Sequence, residues 1–207
     1  MIAANKTEQD NISPQAALTL LKEGNQRFLA EQPQGHPYQP QIEGTSAGQY
    51  PYACILGCID SRVPAEMVFD TGIGDLFNVR IAGNFSNTDI LGSMEFACKV
   101  AGAKMILVLG HTQCGAVKGA CDHVELGNLT AMLKNLEGVV ANTAYEGDRS
   151  SKNLEFVDRV AKNNVEATIA TIKKESPVLA EMATNGEILI LGGMYDVTTG
   201  KVEFYNA

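Results

Sequence analysis

The chain has 207 residues, of which 45% are hydrophobic and 19% are charged, and it carries a formal net charge of −8. A chain of this length and composition can bury a core of its own, so we expect one globular domain. Its acidic balance excludes a nucleic-acid groove or an anionic membrane surface as the main partner, because both need clustered Lys and Arg. A small molecule or another protein is the expected partner.

We expect no targeting signal in the N-terminal residues. The opening MIAANKTEQDNIS lacks the basic region and the apolar core of a signal peptide. No apolar segment approaches the about 18 residues of a membrane-spanning helix. We therefore predict a cytoplasmic protein, and a periplasmic protein whose leader had been removed would show the same sequence.

Residues 1–50 predict an N-terminal helix followed by an extended arm. The helix begins after Ser13, with a proline in its first turn. Its apolar residues fall near one stripe: Ala17, Leu18, Leu21 and Phe28. The stretch 32–51 is rich in Pro, Gly and Gln without apolar periodicity, so we interpret it as an arm or loop. His36, within that stretch, is expected to be exposed to solvent.

Residues 51–207 predict an α/β domain. Four short apolar segments are strand candidates: Tyr52–Gly57, Leu76–Arg80, Met105–Gly110 and Glu187–Gly193. Three of them are almost continuously apolar, which is typical of parallel strands covered on both faces. Helical patterns separate the strand candidates, and a turn at Thr199–Gly200 precedes a short alternating segment. We predict an open, mainly parallel sheet of about four parallel strands plus an antiparallel edge strand, flanked by helices.

Three candidate metal ligands follow two of these strands. Cys58 comes directly after the first strand, and His111 and Cys114 come after the third, in the segment HTQC. Ligands of open parallel sheets gather beyond the carboxyl ends of the strands, so we expect the three side chains to meet. Two thiolates and one imidazole suit Zn²⁺, and three protein ligands leave a fourth position for water. Packed core residues would fit the HxxC pattern alone.

The segment CIDSR places Asp60 and Arg62 beside the first cysteine. The planar guanidinium of Arg62 can hold both oxygens of Asp60, which keeps the carboxylate ionised and away from the metal. Asp60 would then accept a hydrogen bond from a zinc-bound hydroxide and orient it for attack. Two alternatives stay open: the pair is a structural salt bridge, or Asp60 becomes a fourth ligand in a closed form of the site.

The segments CIDSR and HTQC together resemble the zinc signature of the β-class carbonic anhydrases. The resemblance extends from about Gln49 to Val202. It implies reversible hydration of carbon dioxide to bicarbonate and a proton, with zinc bound by the two cysteines and the histidine. It also implies an Asp-Arg dyad that orients the fourth ligand, and a homodimer or homotetramer whose sheets join across the dimer interface.

Five further positions are assigned by the same resemblance. Gln49 matches a side chain that donates to the substrate oxygen, and Gly115 matches a glycine whose surroundings offer a backbone N–H to bicarbonate. Phe77 and Ala82 match positions that line an apolar pocket for carbon dioxide. Phe96 matches a position at the dimer interface where plant-like members carry Tyr, so that hydroxyl is absent here.

Two other functions fit parts of the pattern. An enzyme of the same architecture could act on another linear triatomic, such as carbon disulfide or carbonyl sulfide. A non-catalytic module stabilised by zinc would need a fourth protein ligand, for which Asp60, Cys54 and Cys121 are the candidates.

For the carbonic anhydrase reaction, two thiolates neutralise the charge of zinc. We therefore predict that the pKa of the zinc-bound water lies above the value of about 7 found for a three-histidine site.

Overall fold

The computed structural model describes residues 4–205. Five strands, numbered in chain order, form one sheet in the order β2-β1-β3-β4-β5. The strands are β1 (Ala53–Gly57), β2 (Leu76–Arg80), β3 (Met105–His111), β4 (Leu189–Tyr195) and β5 (Val202–Phe204). The first four are parallel, and β5 runs antiparallel to β4. The predicted fold class, a mainly parallel sheet with an antiparallel edge strand, is therefore confirmed.

Helices cover both faces of this sheet. They are α1 (Lys6–Asp10), α2 (Pro14–Leu29), α3 (Tyr38–Thr45), α4 (Ala65–Val68), α5 (Thr88–Glu95), α6 (Gly115–Cys121), α7 (Gly127–Asn142), α8 (Leu154–Glu175) and α9 (Pro177–Thr184). A π-helical turn, Phe96–Val100, continues α5. The cap predicted for α2 is present, because the hydroxyl of Ser13 accepts the N–H of Ala16. Within the described residues, no helix is long and apolar enough to span a membrane.

The prediction of an irregular arm over residues 32–51 is wrong in part, because α3 lies inside it. Pro37 precedes this helix and Pro40 falls in its first turn, where a backbone N–H is not needed. The side chain of Gln41 is buried and accepts the N–H of Ile73, which docks α3 against the body of the domain. The prolines that suggested a loop are compatible with the start of a helix.

The expectation that His36 is exposed is also wrong. Its side chain is only 21% exposed, and its Nε2 lies 2.8 Å from a carboxylate oxygen of Asp70. Asp70 also accepts the backbone N–H of Gln34 and the Nε–H of Arg27. These bonds hold the segment after α2 against the end of α4. They also keep the side chain of His36 partly buried beside Asp70.

The core is built around the two central strands, β1 and β3, whose residues are all buried. Residues of α2 and α4 pack on one face of the sheet, and residues of α5, α8 and α9 pack on the other. Helix α8 lies very close to the sheet, because a Cβ on either Gly110 or Gly192 would come within 2.6 Å of Val165. The glycines let α8 reach the carboxyl ends of the strands.

Candidate metal centre

The three candidate ligands converge at the carboxyl ends of β1 and β3. Cys58 follows β1 directly, and His111 is the last residue of β3, which pairs with β1 in parallel. Cys114 caps the N-terminus of α6, three residues further on. One ligand atom from each of the three lies within 4.8 Å of the others, and all three residues are buried. Neighbouring strands have thus brought together groups separated by 56 positions in the chain.

The imidazole of His111 is oriented by its own turn. Its Nδ1 lies 2.9 Å from the carbonyl oxygen of Thr112. A carbonyl can only accept, so Nδ1 carries the proton and Nε2 presents its lone pair. Nε2 is buried without a hydrogen-bond partner, and the nearest carboxylate oxygen, on Asp60, is 3.9 Å away, which is too long for a hydrogen bond. A buried acceptor of this kind is suited to a metal ion.

The two sulfurs are spaced as a tetrahedral zinc ion requires. Sγ of Cys58 and Sγ of Cys114 are 3.9 Å apart. Two sulfurs bound to one tetrahedral Zn²⁺ at about 2.3 Å each lie about 3.8 Å apart. The donor set, its burial and this separation all fit Zn²⁺, so Cys58, His111 and Cys114 could hold this ion.

The electrostatics of the two cysteines differ. Neighbouring groups lower the pKa of Cys58, chiefly the thiol of Cys114, then the imidazole of His111, and then the backbone N–H of Gly83. The pKa of Cys114 is raised, first by its hydrogen bond to Cys58 and then by burial. Ionisation of Cys58 therefore opposes ionisation of Cys114. A divalent cation would favour the thiolate form of both.

Asp60 and Arg62 form a bidentate ion pair beside these ligands. Nε and Nη2 of Arg62 donate to the two carboxylate oxygens at 2.9 and 2.8 Å, and the backbone N–H of Arg62 donates at 3.0 Å. These bonds, above all those from the guanidinium, hold the pKa of Asp60 well below its usual range. The carboxylate is therefore ionised, close to Nε2 of His111, and engaged by Arg62 on both oxygens.

Comparison with known proteins agrees with this geometry. A family model described as "Carbonic anhydrase" matches residues 53–202. Carbonic anhydrase 2 of Mycobacterium tuberculosis is 40% identical over 194 residues, covering 92% of each chain. The carbonic anhydrase of Mycolicibacterium smegmatis is 36% identical over 93% of this chain and 94% of its own. A crystal structure of a tetrameric β-carbonic anhydrase from Sordaria macrospora superposes with a TM-score of 0.72 at 30% identity, covering 82% of this chain and 86% of that one.

The chain belongs to the β-class carbonic anhydrases. The resemblance found in its sequence is thereby confirmed. The geometry also adds residues around the metal centre that the sequence pattern did not single out.

Arg80 is one of these residues. At the end of β2 it donates to the backbone carbonyls of Cys58 and Asp60, at 2.8 and 2.6 Å. It thereby fixes the loop that carries a candidate ligand and the carboxylate. In the sequence, only its position at the end of a predicted strand marks Arg80 as a candidate for the site. The structure places it beside Gly57, the residue before Cys58.

Helix α8 supplies two more. The carboxylate of Asp158 accepts the N–H of Gln113 at 2.7 Å, which holds a residue with a left-handed φ of 56° between His111 and Cys114. The amide of Asn164 donates to the carbonyl of Gly83 at 2.8 Å. Only their polarity on a helix that faces the sheet distinguishes these residues in the sequence.

The five substrate-pocket positions fall into two groups. Gly115 directly follows Cys114, and Ala82 directly precedes Gly83, whose N–H donates to Sγ of Cys58 at 3.3 Å. These two lie beside the candidate ligands of the same chain. The other three are not next to a candidate ligand in the chain: Gln49, Phe77 and Phe96.

Phe77 and Phe96 lie on the β2 side of the domain. Phe77 is in register with Cys54, four residues before Cys58, which places it about 13 Å back along the strand direction. Its ring makes an edge-on contact with that of Phe96, which is 51% exposed. Gln49 is exposed in the segment between α3 and β1. The register therefore places Phe77 away from the candidate ligands of its own chain, and Phe96 lies beside Phe77.

Proposed function

We propose that this chain catalyses the reversible hydration of carbon dioxide at a zinc ion held by Cys58, His111 and Cys114. The observation that carries the proposal is the buried, unpartnered Nε2 of His111 beside two sulfurs 3.9 Å apart. Membership of the carbonic anhydrase family supports the reaction. When bound, Zn²⁺ supplies a Lewis acid that lowers the pKa of water and so makes a nucleophile available near neutral pH.

The residues of the chain position the reactants. Arg62 occupies both oxygens of Asp60, which stops the carboxylate from taking the fourth metal position. Asp60, being ionised, can accept the O–H of the attacking water and direct its lone pair towards carbon dioxide. Ala82 supplies apolar surface beside the centre, and the backbone near Gly115 can donate to the bicarbonate product. Activity should rise on the alkaline side of neutral, because two thiolates reduce the pull of the metal on water.

The arrangement favours a catalytic centre over a closed, purely structural one. Cys54 packs in the core cluster on the sheet face, apart from the cluster that contains Cys58 and Cys114. Cys121 is buried in the same cluster as Cys58 and Cys114, but its sulfur is not part of the three-ligand group. With Asp60 engaged by Arg62, no fourth protein ligand joins the group within the described residues.

We further propose that the active unit is a homodimer or a homotetramer of single-domain chains. In each chain, residues 1–50 would form the helical arm and residues 51–207 the catalytic domain. Strand β2 ends the sheet, so its outer edge is open to a second copy. Phe77 and Phe96 lie on that side, and Gln49 is exposed before β1; we propose that these three serve a substrate pocket of a neighbouring copy.

The decisive experiment measures zinc content and carbon dioxide hydration by stopped flow on the wild type and on Cys58→Ser. We expect about one zinc per wild-type chain, and in the variant a loss of zinc affinity of at least about 10-fold together with loss of the rate. Cys121→Ser is the matched control, because it removes a buried thiol outside the three-ligand group. A folded wild type without zinc, or full activity in Cys58→Ser, would contradict the proposal.

The same samples separate the competing functions. Carbon disulfide and carbonyl sulfide, offered beside carbon dioxide, test the alternative substrate class. Cobalt substitution tests for an exchangeable water, because a closed structural site would give a spectrum that added anions do not change. We expect the spectrum to change with anions, and carbon dioxide to be the preferred substrate.

A further inference from the structure

Gly83 connects helix α8 to the metal centre. Its N–H donates to Sγ of Cys58 at 3.3 Å, and its carbonyl accepts from the side-chain amide of Asn164 at 2.8 Å. Asn164 is only 2% exposed, so water does not compete for this bond. Gly83 has a φ of +85°, and a Cβ there would come within 2.9 Å of Leu136. The backbone at Gly83 is therefore held on both sides.

We infer that Asn164 is a positioning residue for the metal centre: it holds Gly83 so that the backbone N–H of Gly83 stays on the sulfur of Cys58. The inference rests on the proposed function, because it concerns Cys58 as a zinc ligand. The side-chain amide of Asn164 donates to Gly83 and not to a candidate ligand, so we infer that it acts through Gly83. It lies 81 residues from Gly83 in the chain.

The N–H···S hydrogen bond affects the chemistry of the centre. A hydrogen bond to a thiolate withdraws negative charge from the sulfur, which weakens its donation to the metal and leaves the metal more electrophilic. This matters most where two thiolates already neutralise the formal charge of the ion. Loss of the bond should strengthen the thiolate donor, so that the rate needs a higher pH to develop.

Helix α8 offers a matched control one turn away. Thr168 is 4% exposed, and its hydroxyl donates to the carbonyl of Asn84, the next residue after Gly83, at 3.5 Å. Thr168→Val therefore removes a buried contact between the same helix and the same loop without touching Gly83. A merely structural role for Asn164 predicts that variants at the two positions behave alike.

The test uses two variants that remove the donor: Asn164→Leu, which keeps the approximate volume, and Asn164→Ala, which shortens the side chain. In the cobalt-substituted proteins, we expect the sulfur-to-cobalt charge-transfer band to move to longer wavelength in both Asn164 variants and to stay unchanged in Thr168→Val. In the zinc proteins, we expect the Asn164 variants to lose about 10-fold in rate at pH 7 and to recover towards wild type at alkaline pH.

The outcomes separate this inference from the proposed function. If the wild type neither binds zinc nor hydrates carbon dioxide, the proposed function fails. If the wild type does both, but a folded Asn164 variant keeps the wild-type band and pH profile, or Thr168→Val shifts them equally, the positioning role is overturned. Amide exchange at Gly83 in the metal-loaded wild type needs no variant: protection supports the role, and rapid exchange contradicts it.

Discussion

The guanidinium of Arg62 fixes the position of the Asp60 carboxylate. Three N–H groups of the arginine, two from the guanidinium and one from the backbone, hold its oxygens at 2.8 to 3.0 Å. A lysine could supply one point charge but could not bind both oxygens in one plane. Since Nε2 of His111 is 3.9 Å from Asp60, the carboxylate has only a short distance to cover if it is released. The ion pair is therefore expected to decide whether the fourth metal position stays available.

Arg62→Ala tests this control. We expect the freed Asp60 to bind the metal, so that activity falls at least about 100-fold while zinc stays bound. Stopped-flow hydration and metal analysis on the same sample give the two quantities. Arg159→Ala is the control, because Arg159 makes an exposed ion pair with Glu155 on α8. Loss of zinc from Arg62→Ala would show instead that the pair is chiefly structural.

At the scale of elements, Asp70 joins α2, the arm after it and the end of α4. The carboxylate is 3% exposed and accepts from Arg27 and from the backbone of Gln34, with His36 on its other oxygen. Burial pushes the pKa of Asp70 up, but the bonds from Arg27, Gln34 and His36 outweigh burial and hold it below its usual range. The ionised carboxylate therefore stabilises the docked arm above the usual carboxyl pKa. That stabilisation is lost as pH falls through the lowered pKa.

Asp70→Asn should accordingly reduce the free energy of unfolding at pH 7 by about 1–3 kcal/mol, the cost of disturbing a buried charged hydrogen-bond network. The difference in stability between variant and wild type should narrow below about pH 4, because the carboxyl group of the unfolded wild type becomes protonated there while that of the folded protein, with its lowered pKa, stays ionised to lower pH. Urea unfolding of both proteins at a series of pH values measures this difference. Asp10→Asn, at an exposed ion pair with Lys6, is the control and should leave stability nearly unchanged. A difference that is constant with pH would contradict the assignment to Asp70.

At the scale of the whole molecule, the β2 side of the domain is the side on which the sheet has an open edge. The strand presents an unpaired edge within the described residues, with the Phe77–Phe96 pair and the 65% exposed Met67 around it. Open edges and exposed aromatic groups are features that proteins usually cover. A second copy would cover them, and Gln49, Phe77 and Phe96 would then become available to a site outside their own chain.

Phe96→Asp tests the assembly. A charge at this half-exposed position should leave the fold intact but weaken association, so sedimentation velocity should show smaller species than the wild type at the same concentration. Hydration activity should fall in parallel, because the proposed substrate pocket includes residues of the neighbouring copy. Leu154→Asp, at a 43% exposed position at the start of α8, is the control. Fully active monomers of Phe96→Asp would contradict the shared site.

Local patterns in the sequence determined the strands, the main helices and the candidate ligands. Continuous apolar runs identify β1 and β3 because both faces of these strands are covered. The cap at Ser13 and the spacing in HTQC act over a few residues, so they can be recognised without knowing the fold. The same is true of the bidentate pair of Asp60 and Arg62, whose partners are two positions apart.

The tertiary structure decided the rest, because contacts between distant residues depend on how the elements pack. The helix α3 forms in a Pro-rich stretch because Gln41 docks it, and His36 is covered because Asp70 gathers the arm. In the sequence, Asn164 is one of two adjacent asparagines in α8. Only the close packing of α8 on two glycines of the sheet brings it to the carbonyl of Gly83. Sequence spacing specifies which groups are present at the metal centre, whereas packing specifies which groups hold them in place.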